Sequence, residues 1–518
     1  MEGGLGRRYV EVGENLPIPD EVDWAGAPRQ FKLYDRGLPR TPLGYDRPRA
    51  APGSVWGFEQ AGQLLADVYG LTRQRWTASD ALRWIVGTRG SAAPSGYRGL
   101  AMNTLRPVPS GGARFPGELY VVAGPGECLP TGVHHYDPAH HALVTLRTGD
   151  HRLALARALG LPAGEAPRLT LLLSVFFWKN AFKYGELSYR LCGLDLGALI
   201  GQTLAVTGRY ERRVRVRYRF LDDDLDGLLG LDPGRESVYV AITVDTGRRT
   251  GGPLPAEPAT VAPEPVPAAG TSGSGETWSL EAFPLPARLH RAARMTDPAA
   301  LGHAAPVVVP GPVRSLRSVP LPERRADLLA GLRRRRSSMG YFERRELSLD
   351  ELADLLGATA GGYSSDIGDG PGSTLLFCAV NHVSGLRPGV YCYRPRTHAL
   401  EQIRDAEIGD ELQASLLVRL FNLSHTSLCV YPVAAYESGL GTYGDRWYRI
   451  QNMEAGILLQ RLYLASAALG LKCHANLGYS VRQTNRLLGL EDGPLTSLIQ
   501  IMIGGGREPG DYYEHECL

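Results

Sequence analysis

The chain has 518 residues, of which 43% are hydrophobic and 21% are charged. Its net charge of +2, from 56 basic and 54 acidic residues, gives no general reason to expect nucleic acid or an anionic membrane as a partner. This length exceeds what one hydrophobic core usually supports, so we expect two domains.

The seven cysteines are scattered and form no CxxC pair, which favours reduced thiols over disulfides or structural zinc. Residues 1–22 lack the apolar core of a secretion signal. No uninterrupted apolar run reaches the roughly eighteen residues that a membrane span needs. We therefore expect a cytoplasmic protein with no membrane partner.

Predicted elements of the N-terminal half alternate between helices and strands. Residues 1–48 are expected to be extended because they contain Pro17, Pro19, Pro28, Pro39 and Pro42. WGFEQAGQLLADVYG predicts a helix, and LCGLDLGALIGQTLAV favours a second, longer one. ELYVVAG and ESVYVAITV are rich in β-branched and aromatic residues and predict strands.

Residues 246–277 are dominated by proline, alanine, glycine and threonine. Such a composition buries little apolar surface and predicts a disordered or extended linker, with a surface loop inside one domain as the alternative.

The C-terminal half shows the same mixture. Ser348 and Glu351 have the spacing of a capping box, which predicts a helix through LDELADLLGAT. A longer helix is predicted at about 452–469, and SLIQIMIGG predicts a strand. Interleaved helices and strands indicate an α+β fold class, with α/β as the alternative.

An internal repeat organises the chain. GVHHYDPAHHAL at 132 returns as GVYCYRPRTHAL at 389 (389 − 132 = 257). KYGELSYR at 183 returns as TYGDRWYR at 442, and LLGLDPG at 228 returns as LLGLEDG at 487, both 259 residues later. Near-constant spacing predicts a tandem duplication of whole domains. The predicted parts are an extension at 1–50, a first domain at 51–245, a linker at 246–290 and a second domain at 291–510.

The order of these motifs resembles the nitroreductase-like FMN fold, and more narrowly the SagB/McbC type of azoline dehydrogenase. The resemblance implies two tandem domains that form an intramolecular pseudo-dimer, with FMN bound between the copies. It also implies oxidation of thiazoline and oxazoline rings to thiazoles and oxazoles in a ribosomally made peptide.

The C-terminal copy matches the half of such a site that binds the FMN phosphate. Arg335, Arg336 and Ser337 match the Arg-Arg-Ser of the family, and a phosphate favours guanidinium forks and a hydroxyl. By position, the resemblance also places Leu477 and Gly478 beside the flavin ring. Arg507 follows three glycines at a strand end and could add positive charge. The alternatives are a solvated basic run and an ordinary glycine-rich turn.

The N-terminal copy matches the half that packs on the flavin ring. Pro109, Ser110, Gly111 and Gly112 match the Pro-Ser-x-Gly loop of the family, which the C-terminal copy lacks. The alternative is an ordinary turn before a strand. Because each copy keeps a different half, we predict one composite FMN site per chain.

The predicted catalytic pair is Lys183 and Tyr184, and its lysine is absent from the second octet. Azoline oxidation removes a hydride to the flavin and a proton to a base, and the resemblance assigns the proton to this pair. The sequence leaves open which of the two is the base, and a surface lysine beside a packed tyrosine is the alternative. Metal binding by the hairpin histidines (His134, His135, His140 and His141) is not expected.

The resemblance implies dioxygen as the electron acceptor, an azoline-containing precursor peptide as the substrate, and cyclodehydratase partner proteins. Either a monomeric pseudo-dimer or a homodimer is compatible with the sequence. Two other functions remain open: an NAD(P)H-dependent nitroreductase-like enzyme with another substrate, and a degenerate flavoprotein scaffold that binds peptide and partner enzymes.

Overall fold

The structure is a computed structural model, and it describes residues 4–12, 22, 27–44, 57–78, 100–210, 212–246, 278–302, 305–309, 311, 315–338, 340, 342–417, 420–507 and 512–517. Nearly all of the linker predicted from composition, residues 247–277, lies outside these described residues.

Helices and strands alternate along the N-terminal half. Its helices are α1 (Leu5–Val12), α2 (Phe58–Tyr69), α3 (Arg152–Ala158), α4 (Trp178–Tyr184), α5 (Ser188–Arg209), α6 (Asp222–Leu229) and α7 (Pro284–Ala292). Its strands are β1 (Arg40–Pro42), β2 (Arg73–Ala78), β3 (Leu100–Leu105), β4 (Gly117–Ala123), β5 (Gly132–Asp137), β6 (Ala142–Thr148), β7 (Leu169–Phe176), β8 (Val214–Arg217) and β9 (Glu236–Val244).

The C-terminal half repeats much of this order. Its helices are α8 (Leu328–Gly331), α9 (Leu349–Thr359), α10 (Gly409–Ala414), α11 (Glu437–Tyr443), α12 (Arg446–Ala468) and α13 (Val481–Leu487). Its strands are β10 (Arg317–Pro320), β11 (Phe342–Glu343), β12 (Leu375–Val380), β13 (Gly389–Arg394), β14 (Ala399–Asp405), β15 (Leu428–Ala435), β16 (Lys472–Asn476), β17 (Leu495–Ser497), β18 (Gln500–Gly506) and β19 (Tyr512–Glu516).

Each half contributes one large sheet. The seven-stranded sheet has the order β1-β6-β5-β4-β7-β9-β8. The nine-stranded sheet follows β10-β14-β13-β12-β15-β18-β11, with β16 beside β18 and β17 beside β15. A small sheet has the order β19-β2-β3. Central pairs in both large sheets are antiparallel, so the α+β class and the tandem arrangement of two similar domains are confirmed.

The two hairpins β5–β6 and β13–β14 share an uncommon local geometry. His141 (φ 47°) and His398 (φ 45°) both adopt the left-handed region, which residues other than glycine enter infrequently. Nδ1 of His141 lies 2.9 Å from the Tyr136 hydroxyl, and Nδ1 of His398 lies 2.6 Å from the Tyr393 hydroxyl. The repeated tyrosine–histidine hydrogen bond explains why these letters recur in both copies.

The chain forms two compact units. One contains the sheet of the N-terminal copy, and it also includes α7, residues 364–368 and residues 513–517. The other contains the sheet of the C-terminal copy, and it also includes α1. Helix α7 falls partly within residues 278–290, which the predicted domain boundaries place at the end of the linker.

Helix α1 corrects the expectation of an extended N-terminus at residues 5–12. Its Tyr9 is buried, with the ring centroid 5.1 Å from that of Tyr448. Gly6 N donates to Asp445 Oδ1 at 2.8 Å. These tertiary contacts stabilise a helix that is too short to persist alone in water.

Two helix predictions in the C-terminal half have different outcomes. The capping box is confirmed, because Ser348 Oγ accepts from Glu351 N at 3.1 Å and Glu351 Oε2 accepts from Ser348 N at 2.9 Å. Helix α12 begins at Arg446, about six residues before the prediction. Buried polar side chains such as Arg449 and Gln451 in its first turns hide the apolar periodicity.

Helices α4 and α5 lie in one segment, Trp178–Arg209, that is long and apolar enough to cross a membrane by length and composition. Most of its apolar window, 78%, is buried inside the protein, as is usual for the core helix of a soluble protein.

Candidate functional site

Lys183 and Tyr184 form the C-terminal end of helix α4. The next residue, Gly185, has φ 52° and ends the helix, and Gly444 has φ 56° at the same place after α11. A positive φ favours glycine, so the repeated Tyr-Gly pair marks a shared helix end. Thr442 stands where the lysine would be, so this helix end does not require a lysine side chain.

A buried ion pair fixes helix α4 within the N-terminal copy. Lys179, one turn before Lys183, donates to Glu118 and also to the Gln30 carbonyl oxygen at 3.0 Å. The other Glu118 oxygen, Oε2, lies 3.1 Å from His135 Nε2. Removing one partner of a buried ion pair leaves the other charge unpaired and lowers the free energy of unfolding by about 3–5 kcal/mol. The ion pair therefore holds the helix that carries Lys183 firmly in place.

The Pro-Ser-Gly-Gly loop is held by a carboxylate of the long helix α5. Ser110 Oγ donates to Asp195 Oδ2 at 2.8 Å, and Gly111 N donates to Asp195 Oδ1 at 3.2 Å. Ser110 Oγ also accepts from Phe115 N at 2.8 Å, which closes the turn. The motif serine therefore has a structural role in shaping the loop.

Gly112 brings this loop against the predicted catalytic pair. Its φ is +58°, and a Cβ added there would lie 2.4 Å from Tyr184 Oη and 2.9 Å from Lys183 Nζ. The positive φ favours glycine, and an added Cβ would force the ends of these two side chains to move. Both sequence motifs of the N-terminal copy converge on one place in the structure.

Replacing Gly112 with alanine is expected to lower the free energy of unfolding by about 1–3 kcal/mol, because it combines a left-handed backbone with a steric clash. Gly470→Ala is a matched control, since Gly470 has φ +69° with nothing within 4 Å of the added Cβ. Denaturant unfolding should show the larger loss for Gly112→Ala. An equal loss in the two variants would exclude the steric contribution.

The environment alters the protonation of both catalytic candidates. Burial, together with the nearby Arg114 guanidinium, lowers the pKa of Lys183 to about 8. Burial, with the negative charge of Asp195 nearby, raises the pKa of Tyr184 above its ordinary value. Lys183 Nζ lies 5.0 Å from the centroid of the Tyr184 ring. Near neutral pH the amine can therefore lose its proton readily, whereas the phenol keeps its proton.

Three residues near the site were missed by sequence reasoning: Arg114, Asn180 and Asp195. Asn180 Nδ2 lies 3.4 Å from Asp195 Oδ2. Burial raises the pKa of Asp195 to about 7. A lone carboxylate within the apolar run LCGLDLGALIG was the signal that could have revealed it.

In the C-terminal copy, the Arg-Arg-Ser motif is tied to strand β16. Arg335 is buried, with its guanidinium carbon 5.6 Å from the centroid of the Tyr463 ring. Ser337 Oγ lies 3.1 Å from the Tyr463 hydroxyl, which accepts from Ala475 N at 3.0 Å. Arg336 is partly exposed and donates to the Arg334 carbonyl oxygen at 3.2 Å.

Leu477 and Gly478 follow directly after β16 in the same unit. Gly478 N donates to Asn476 Oδ1 at 2.8 Å, and Gly478 O accepts from Leu417 N at 3.0 Å. The backbone of Gly478 is thus fixed on both sides.

Arg507 is exposed at the end of β18, with Nε 4.0 Å from Glu343 Oε1. Of the three preceding glycines, Gly505 is explained by close packing within the fold. A Cβ added there would lie 2.7 Å from Arg345 Cβ. The geometry of Gly505 therefore gives no separate support to an anion site near Arg507.

The buried polar atoms of this region that lack a hydrogen-bond partner among the described residues include Ser338 Oγ and His474 Nδ1. Ser338 follows the Arg-Arg-Ser motif, and its backbone N donates to Cys473 O at 3.0 Å. Burial lowers the pKa of His474 to about 4, so the imidazole is neutral. A buried orphan hydroxyl that follows two arginines in the chain fits an anionic group such as the phosphate of FMN.

The hairpin histidines contact separate protein partners. Nε2 of His134 is 2.8 Å from Pro130 O, His135 contacts Glu118, His140 Nδ1 is 2.7 Å from Asp137 Oδ2, and His141 contacts Tyr136. Within the described ranges, no group of three or more histidine, cysteine or acidic side chains is placed to hold a metal.

The sequence profile of the Nitroreductase family matches residues 332–505. A Methanocaldococcus jannaschii protein named as a nitroreductase, MJ1384, is 29% identical over 167 residues, which span 31% of this chain and 84% of that protein. Trifolitoxin-processing protein TfxB of Rhizobium leguminosarum is 30% identical over 147 residues (26% of this chain, 38% of TfxB). Microcin B17-processing protein McbC of Escherichia coli is 28% identical over 156 residues (29% of this chain, 52% of McbC). This protein is nitroreductase-like and resembles the McbC type.

A solved structure from Anabaena variabilis, described as a nitroreductase, supports the fold along nearly the whole length of this chain. It has a TM-score of 0.73 and 22% identity, and the alignment covers 98% of this chain and 100% of that chain. At this identity the likeness shows the fold alone. The matches to TfxB and McbC span about half or less of those relatives.

Proposed function

We propose that this protein is an FMN-dependent dehydrogenase that oxidises thiazoline and oxazoline rings to thiazoles and oxazoles in a ribosomally made peptide. An oxidoreductase is supported by the Nitroreductase match, and peptide processing by the names of TfxB and McbC. One observation of the structure carries the proposal: Lys183, with a pKa lowered to about 8, lies at the Pro-Ser-Gly-Gly loop.

Lys183 is the better candidate for the base. FMN, when bound, would accept the hydride from the azoline ring. The neutral amine of Lys183 would take the proton from the adjacent carbon, because its pKa lies near the working pH. Tyr184 keeps its proton and would donate a hydrogen bond that orients the ring.

FMN would be held by groups from both copies. Its phosphate would be bound by Arg335, Arg336 and Ser337, with Arg507 as a more distant positive charge. The ring would lie against Pro109–Gly112 and the backbone of Leu477 and Gly478. Because each copy supplies one half, we propose one FMN per chain, with dioxygen as the electron acceptor.

The purified protein is expected to be yellow and to contain about one FMN per chain, by the composite-site argument above. With an azoline peptide it should consume dioxygen and remove two hydrogens per ring, which mass spectrometry measures. A colourless protein that ignores added FMN would contradict the proposal. Rapid bleaching by NAD(P)H without azoline oxidation would favour another nitroreductase-like activity. Two FMN per chain would contradict only the composite site.

The substrate and partners follow from the same proposal. An azoline-containing precursor peptide would arrive from a cyclodehydratase, which makes a complex with such partner proteins a natural arrangement. We place this reaction in the cytoplasm, with the protein as a monomeric pseudo-dimer or a homodimer. If peptide maturation continued unchanged without Lys183, a scaffold role would replace the catalytic one.

A further inference from the structure

The two long helices carry a carboxylate at equivalent positions. Asp195 lies on α5 and Glu454 lies on α12, separated by the repeat offset (454 − 195 = 259). Glu454 is buried, and Asp195 is partly buried. A carboxylate in a largely apolar helix is costly unless hydrogen bonds compensate it, so its presence in both copies needs a reason.

Both carboxylates bind the segment that leads into the first central strand of their sheet. Before β4, Asp195 accepts from Ser110 Oγ and Gly111 N. Before β12, Glu454 accepts from the Ser373 hydroxyl, from Ser373 N at 3.0 Å and from Thr374 Oγ1 at 3.3 Å. Both copies thus use a carboxylate of the long helix to hold the approach to this strand, but at different positions: Ser110 and Gly111 lie seven and six residues before β4, whereas Ser373 and Thr374 directly precede β12.

In the N-terminal copy, the segment that the carboxylate holds also contacts the predicted catalytic pair. The segment held by Asp195 contains Gly112, whose backbone lies against Lys183 and Tyr184. Asn180, on the helix that carries the catalytic pair, also reaches Asp195. Asp195 therefore contacts both the Ser110–Gly112 loop and helix α4, which carries Lys183. The hydrogen bond from Phe115 N to Ser110 Oγ closes the turn, so the position of Ser110 also sets the position of residues 111–115.

We propose that Asp195 is a positioning residue that fixes the Ser110–Gly112 loop against Lys183 and Tyr184. This role deepens the proposed function and rests on it for its catalytic consequence, whereas its effect on the loop does not depend on any substrate. The raised pKa of Asp195 agrees with a carboxylate held in place away from water. In the C-terminal copy, Glu454 holds a segment that lacks the Pro-Ser motif, so its effect there is confined to structure.

Hydrogen exchange of the FMN-free full chain tests the effect on the loop. Asp195→Asn keeps the shape of the side chain but removes its charge and one acceptor oxygen, and Asp195→Ala removes every contact. In both variants the amides of residues 110–115 are expected to exchange about tenfold faster, because lost hydrogen bonds of about 1.5 kcal/mol no longer close the loop. In Glu454→Gln the faster exchange should occur at residues 373–374 and not at 110–115. Unchanged exchange at 110–115 in both Asp195 variants would overturn the proposal.

A double-mutant cycle tests the effect on catalysis. Asp195→Asn and Ser110→Ala are each expected to lower kcat about tenfold, and the double variant should be no slower than the slower single variant, because both act through one loop. Glu454→Gln should keep the wild-type kcat. Additive losses, or an equal loss in Glu454→Gln, would contradict a positioning role. If the wild-type protein oxidises no azoline, the proposed function fails, while the exchange result still decides whether Asp195 positions the loop.

Discussion

Replacing Lys183 with alanine is expected to slow azoline oxidation by about 100-fold or more while FMN stays bound, since a positioned general base contributes about 10²–10⁴-fold. The amine of Lys183 has a pKa of about 8, close to physiological pH. Flavin absorbance measures cofactor content, and single-turnover oxidation of an azoline peptide measures the chemical step. Lys183→Met adds a variant of similar length that cannot accept the proton.

Thr442→Ala is the matched control, because Thr442 occupies the equivalent position in the second octet and is exposed. Its activity should equal that of the wild type. If Lys183→Ala oxidised the peptide at the normal rate, Lys183 would not be the base. If the variant lost FMN as well, its slower reaction would reflect cofactor binding instead.

The same prediction includes a pH dependence. Burial favours the neutral amine, so the fraction of Lys183 able to accept a proton rises as pH increases through about 8. The single-turnover rate of the wild type should therefore climb over this range and level off above it. Lys183→Ala should lose this rise, and a rise that persisted in the variant would belong to another group.

Arg335→Ala is expected to weaken FMN binding by about 10- to 100-fold, because a charge-assisted hydrogen bond contributes about 1.5–3 kcal/mol. Arg335 is the buried arginine of its run, and the orphan hydroxyl of Ser338 is three residues away. Quenching of flavin fluorescence during titration with FMN gives the dissociation constant. Thermal unfolding without FMN separates cofactor affinity from stability.

Arg334→Ala is the control for charge alone, since Arg334 is exposed and carries the same charge one residue earlier. Its FMN affinity should change little. An equal loss in Arg334→Ala and Arg335→Ala would indicate general attraction by the basic run. An unchanged affinity in Arg335→Ala would remove the Arg-Arg-Ser motif from the phosphate site.

The sequence was sufficient for the parts of the fold that repeat. Two hairpins and two helix ends recur because the backbone there needs particular residues, such as the glycines at 185 and 444 and the left-handed histidines. These constraints are local, so they appear as letters at fixed spacing. The convergence of Ser110–Gly112 with Lys183 was implied only by resemblance, and the structure gives it a physical basis.

Other features depend on contacts that sequence spacing does not display. The ion pair between Lys179 and Glu118 joins residues 61 positions apart, and the C-terminal copy has Leu375 at the position of Glu118 (375 − 118 = 257). Helix α1 and the start of α12 depend on tertiary packing more than on propensity. In the sequence, Asp195 is an isolated polar residue in an apolar run. The structure places three hydrogen-bond donors around its carboxylate.

The membership of α1 and α7 in the two compact units has an evolutionary consequence. Helix α1 opens the chain but completes the unit of the C-terminal copy, where Tyr9 packs on Tyr448. Helix α7 follows the N-terminal copy and stays in its unit, with the His290 ring 4.9 Å from that of Phe177. If the gene were split at residues 247–277, the C-terminal product would lack α1. The N-terminal product would lack α7. Both copies therefore depend on staying in one chain. Within one chain a motif that is kept in one copy can be lost from the other.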